Sequence, residues 1–270
     1  MRGSSRASLA DAKERLLVLA SRTSDAGQLG GELFAVVDLL DRQPPLRRSL
    51  ADNSSARSAR SGLLTAVLGG NVSPDTAELL DSVVTAQWSS SADLVDAIEQ
   101  LAVLAIVAQA DQARHLDDLE DDLFRFARVV GGSAELRSAL GNPFAPAEAK
   151  RDVVRDLLDG KATPEAVQLV IQASLHPRGR SLDTSLGQYA SLAAEQRERL
   201  VAEVRVATDL SAAQRSRLAA VLARAYGHEV HLNLVLDPQV IGGMIIRIGG
   251  EQIDGSVANR LAEARRGLAS

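Results

Sequence analysis

Leu-Asp-Pro-Gln-Val-Ile-Gly-Gly-Met-Ile-Ile-Arg-Ile-Gly-Gly-Glu-Gln-Ile-Asp-Gly-Ser-Val-Ala-Asn-Arg-Leu, residues 236–261, is the stretch that decides how this 270-residue chain ends. Asp237-Pro238 closes a strand predicted over 228–236, because proline gives no N–H to a ladder and restricts the residue before it. Gly242-Gly243 permits a bulge or a close backbone approach ahead of a strand over 244–248. Gly249-Gly250 makes a tight hairpin turn and 251–253 returns. Asp254-Gly255-Ser256 turns again, with Ser256 placed to cap a final helix over about 257–267. The stretch is a structural cassette and holds no nucleophile, general base or metal cluster.

Upstream the same logic extends to residue 199. Leu200, Ala202, Val204 and Val206 alternate with Val201, Glu203, Arg205 and Ala207, which is strand period. Ser211-x-x-Gln214 is a capping box opening a helix to Ala225. Val230, Leu232, Leu234 and Leu236 alternate in a second strand, so 199–270 reads as a small β-α-β-β-α domain.

The first two-thirds of the chain match themselves under a gapless shift of 90 residues. Leu33-Phe34 falls on Leu123-Phe124, Leu46-Arg47 on Leu136-Arg137, Leu50 on Leu140, and Ala59-Arg60 on Ala149-Lys150. Ser73-Pro74-Asp75 falls on Thr163-Pro164-Glu165, a helix start with a hydroxyl cap and proline at the first helical position. Leu116, Leu119, Leu123, Phe126 and Val130 step by three and four along one helix face. The spacing predicts helices over 26–42, 56–68 and 74–88, repeated in the second copy, with breaks at Asn142-Pro143, Asp159-Gly160 and His176-Pro177. Segments 6–22, 92–112 and 182–200 are equivalent under the shift, so the two bundles share or abut on the middle one. The expected fold is mainly α: tandem helical bundles over 1–105 and 106–198, then the α+β domain 199–270, with a joint at 111–115.

Composition narrows the function. Hydrophobic residues make up 46% of the chain and support packed cores, while aromatics are only 3%. Few aromatics and a net charge of −5 argue against nucleic-acid stacking and backbone contact. The absence of cysteine removes disulfides, thiolate ligands and cysteine nucleophiles. No apolar run approaches the length of a membrane helix, so membrane association is expected only through partners.

Individual candidates for chemistry dissolve on inspection. His228 and His231 are three apart in a predicted strand and point to opposite faces, unlike a zinc-binding helix pair. Asp117-Asp118-Leu-Glu-Asp121 has no second acidic motif and reads as a solvated helix face. The paired glycines form no dinucleotide fingerprint. Arg178 and Arg180 read as positive charge closing the helix that ends at Leu175, and Trp88 as packing. No catalytic residue, cofactor site or metal site is expected.

Asp237, Pro238, Ile241, Gly242, Gly243, the apolar run 244–246, Arg247, Ile248, Gly249, Ile253, Asp254, Gly255, Ser256 and Leu261 resemble, in fixed register, the C-terminal signature of the delta subunit of F-type ATP synthase. Its mitochondrial counterpart is the oligomycin-sensitivity-conferring protein. The resemblance is strong over 195–268, reasonable over 94–177 and weaker over the first ninety residues. It implies a non-catalytic stator subunit, peripheral on the cytoplasmic face of a bacterial plasma membrane. The helical bundle would hold N-terminal helices of the alpha subunits, and the C-terminal domain the ends of the b-subunit stalk helices. The family pattern has one N-terminal bundle where this chain has two. The second keeps Phe124, Phe126, Leu140 and Phe144, so these residues are expected to carry the alpha contact, aromatic anchors being effective in helix grooves. The alternative reading is a stand-alone helical adaptor for amphipathic helices.

Overall fold

The computed structural model describes residues 1–256 apart from 2, 24, 143, 209, 227–229, 238–239, 241 and 249–250. Pro143, His228, Pro238, Ile241, Gly249, Gly250 and the helix expected over 257–267 lie outside them. The chain divides into two compact units, Met1–Ala194 and Glu195–Ser270.

The first unit opens with α1 (Gly3–Arg22), α2 (Ala26–Arg42), α3 (Pro44–Leu50), α4 (Arg57–Leu68), α5 (Pro74–Thr85) and α6 (Ser91–Gln112). It continues with α7 (Leu116–Gly132), α8 (Ala134–Gly141), α9 (Ala147–Leu158), α10 (Pro164–Leu175) and α11 (Leu182–Leu200), the last running past the unit boundary. Adding 90 to the bounds of α2, α4 and α5 gives those of α7, α9 and α10. Between α6 and α7 Arg114 takes a left-handed φ of 61°.

The repeat extends to buried polar contacts. The Glu32 carboxylate accepts from Ser73 N at 2.9 Å, and its counterpart Asp122 accepts from Thr163 N at 2.8 Å. Burial works against the Glu32 charge, but bonds from Thr76, Ser73 and Gln28 outweigh it and hold the carboxyl below its ordinary pKa. Arg60 Nη1 donates to Val84 O at 2.6 Å and its counterpart Lys150 Nζ to Ser174 O at 3.0 Å. Both cations sit at the end of the following helix, whose last carbonyls lack intrahelical partners. Burial lowers the Lys150 pKa.

Helix α6 is the hub. It is apolar nearly all round, Leu94 to Ala110 being buried almost without interruption, which marks a helix enclosed by neighbours. It packs on α1 and α2 of the first repeat and on α7 and α10 of the second.

In the second unit the strands β1 (Val201–Val206), β2 (His231–Leu236), β3 (Met244–Ile248) and β4 (Glu251–Asp254) form a sheet in the order β2-β1-β3-β4. Helix α12 (Ala212–Tyr226) links the parallel pair β1 and β2. Its start is the expected capping box: Ser211 N donates to Gln214 Oε1 at 2.8 Å and Gln214 N to Ser211 Oγ at 3.3 Å. Ala202, Val204, Val206, Ile246 and Ile248 pack with Leu222 and Val230 in one core.

Candidate helix-docking surfaces

Helix α1 buries Leu9, Ala12, Leu16, Leu19 and Ala20, steps that place Asp11, Glu14, Arg15, Val18 and Arg22 on or beside the outer face. With Glu78 of α5 these residues and Leu19 line a surface groove of about 380 Å³. Val18, 48% exposed, is an apolar side chain open to solvent between charges of both signs.

The matching face of the second repeat lies on α6 beside α10, and α2 packs along it on α6. Gly30 comes so close to α6 that a Cβ there would stand 2.7 Å from Ile106 Cγ1 and 3.0 Å from Ala102 O. A Cβ at Gly27 would meet the Gln109 side chain, and one at Gly31 would lie 4.0 Å from Gln168 Nε2 of α10. Ala105, Gln109 and Gln168 are the shift counterparts of Arg15, Leu19 and Glu78. The lining differs accordingly: Leu101, Leu104, Ala105 and Ala108 are buried where Asp11, Glu14, Arg15 and Val18 are exposed.

The C-terminal cassette fixes backbone rather than chemistry. Asp237 N donates to Val206 O at 3.0 Å where the strand ends. Gly243 has φ 79°, and a Cβ there would stand 2.4 Å from Gly255 O, so a side chain is excluded twice over. Gly255 N donates to Met244 O, and the Asp254 side chain accepts from Ser256 N at 2.9 Å. Gly242 precedes β3 in the same turn, and Ser256 is buried.

A model of the ATP synthase delta (OSCP) subunit family matches residues 102–268. This chain belongs to that family. Full-length relatives named ATP synthase subunit delta include those of Streptomyces griseus, 46% identical with all of both chains covered, and Thermobifida fusca, 47% identical with the same coverage. The one from Kineococcus radiotolerans is 45% identical over 99% of this chain and 97% of its own length. The family model starts inside α6, whereas these relatives run through the first repeat as well. As a delta/OSCP chain it is a structural subunit, and ATP synthesis belongs to the complex as a whole. Among the described residues no helix is long and apolar enough to cross a membrane, in keeping with a peripheral part of that complex.

The partner residues expected in this delta/OSCP chain separate into two kinds. Phe126 and Leu140 are buried within the second repeat. Phe124 is 44% exposed and Phe144 93% exposed. Asp122, next to the acidic run 117–121, is buried and accepts from Thr163 N at the start of α10. One expectation is corrected by the geometry. Arg178 and Arg180 do not close α10. They reach Glu99 of α6, from Arg178 Nη1 at 2.6 Å and from Arg180 Nη2, while Tyr189 Oη donates to the same carboxylate at 2.7 Å.

Arg178 also pairs with Asp41 at 3.0 Å and Asp96 at 2.9 Å, and His176 Nδ1 lies 3.4 Å from Asp38. Burial opposes the Arg178 charge, but Glu99, Asp41 and Asp96 raise its pKa overall. Burial and the Glu99 charge push Tyr189 well above its ordinary value. The cluster binds α2, α6, α11 and the loop after α10 into one body. Glu99 was missed because nothing in the sequence sets it apart from Asp93, Asp96 and Asp111, the other acids of α6.

Proposed function

We propose that this chain is the stator clamp of an F-type ATP synthase, joining the alpha subunits of the catalytic head to the b-subunit stalk and resisting rotor torque. The complex would sit on the cytoplasmic face of the membrane. The observation that carries the head-side half is the groove between α1 and α5. Its counterpart on α6 beside α10 receives a helix, α2, so a helix is the shape this groove takes. An alpha-subunit N-terminal helix is the occupant that the family membership supplies. The two repeats, 1–105 and 106–198, act together as the head-side body. On the stalk side, Leu236 is 62% exposed and Val221 and Ile253 are exposed on the C-terminal unit, apolar surface suited to the ends of the b helices.

A second reading places the alpha contact on the second repeat, because Phe124 and Phe144 are exposed aromatics there. Photo-cross-linkers placed singly at Val18, Phe144 and Leu236 in native membranes separate the readings. Recovery of alpha from Val18 and of b from Leu236 is expected. Recovery of alpha from Phe144 alone would favour the second repeat. Failure to recover either subunit from any position would favour a stand-alone adaptor.

A further inference from the structure

The groove that this fold offers to a helix exists twice and is open once. Helix α2 is seated across Ala102, Ala105, Ile106 and Gln109 of α6, and Gln168 Nε2 of α10 lies 4.0 Å from where a Cβ on Gly31 would stand. The counterparts of these five positions are Ala12, Arg15, Leu16, Leu19 and Glu78. Three of them line the open groove on α1 and α5. The seat of α2 is built for permanence. Gly27 and Gly30 let the two backbones approach until a side chain would collide. Leu29, Leu33, Phe34, Val36, Val37 and Leu40 of α2 are buried. At the far end Asp41 is ion-paired with Arg178, just beyond α10, and Asp38 lies 3.4 Å from His176 Nδ1.

We infer that α2 is a built-in occupant of the second repeat's groove, so that the duplicated chain takes one external helix by this mode, not two. The remaining seat is on α1 and α5. Its lining asks for an amphipathic helix with an apolar stripe over Val18 and Leu19. That stripe would be flanked by charges of both signs, facing Asp11, Glu14 and Glu78 on one hand and Arg15 and Arg22 on the other. The inference rests on the proposed function for the identity of that helix, and on the repeat geometry alone for the number of seats.

Calorimetric titration of the full chain with a synthetic peptide of the alpha-subunit N-terminal helix tests it. The expected stoichiometry is one peptide per chain. Val18→Asp, at an exposed position that leaves the fold intact by circular dichroism, is expected to weaken binding about tenfold or more without uncovering a second site. Two peptides per chain, or unchanged binding by Val18→Asp, would overturn the inference while leaving a head-binding role in place. No binding by the wild-type chain would overturn the proposed function, and the choice of occupant with it.

Discussion

Phe34 and Phe124 hold the same place in two copies of one helical plan, yet the first is 2% exposed and the second 44%. The helices that carry them explain the difference. In α2, Gly27 and Gly30 face α6 while Gly31 lies nearest Gln168 of α10, and the helix settles closely along α6. Their counterparts in α7 are Asp117, Glu120 and Asp121. Carboxylates cannot be pressed against an apolar helix without losing their hydration. Duplication kept the helix bounds, the Ser73/Thr163 cap and the Arg60/Lys150 braces. It exchanged the linings, and so made one repeat part of a sealed core and left the other with a more open outer face.

The contrast can be broken where it is strongest. Phe34→Ala is expected to cost about 4 kcal/mol, the range for a buried aromatic, and Phe124→Ala under about 1 kcal/mol, as at a half-exposed site. Urea midpoints of the two variants read this directly, and equal losses would contradict the packing difference. Next comes Glu99→Gln, which leaves Arg178 buried with only Asp41 and Asp96. A loss of about 3 kcal/mol is expected, whereas a loss near zero would show that the cluster does not hold the repeats together. Gly30→Leu forces a side chain into Ile106 and should cost about 2 kcal/mol. Glu120→Leu, at the matching position of α7, should cost far less by the same thermal melt.

The smallest effect is a pH dependence confined to the second repeat's loop. Burial lowers the His176 pKa despite the attraction of Asp38 and Asp41. A proton therefore prefers the unfolded chain. Stability from this group is complete above the unfolded value of about 6.5 and is lost as pH falls from there toward the folded value. His176→Gln should lose less stability than wild type between neutral and mildly acidic pH. An identical pH profile for the two chains would remove His176 from the account.

Much of this was legible in the residues. The shift by 90 gave the helix bounds because caps, prolines and apolar steps are local signals. Strand alternation and the Ser211–Gln214 box likewise gave the C-terminal unit. The short helices α3 and α8 escaped, since seven or eight residues carry too few turns for a periodic signal. The open groove on α1 and α5 escaped for a different reason. Aromatic residues drew the expectation to Phe124, Phe126 and Phe144, with Leu140 beside them, but whether a side chain faces core or solvent depends on which helices meet. The signal that would have found the groove was present in the repeat itself: Asp11, Glu14 and Arg15 stand where Leu101, Leu104 and Ala105 stand. A polar set exchanged for an apolar one at fixed register marks a face open in one copy and covered in the other.

Because the chain has no cysteine, single thiols at Val18 and at its counterpart Ala108 compare the two grooves most directly. The rate of labelling by a water-soluble maleimide, with and without the alpha-subunit N-terminal peptide, is the measurement. Val18→Cys should label rapidly and be protected by the peptide, while Ala108→Cys should resist labelling under both conditions. Comparable labelling at the two positions, or no protection of the thiol at 18 at saturating peptide, would contradict an open groove on the first repeat and a self-filled one on the second.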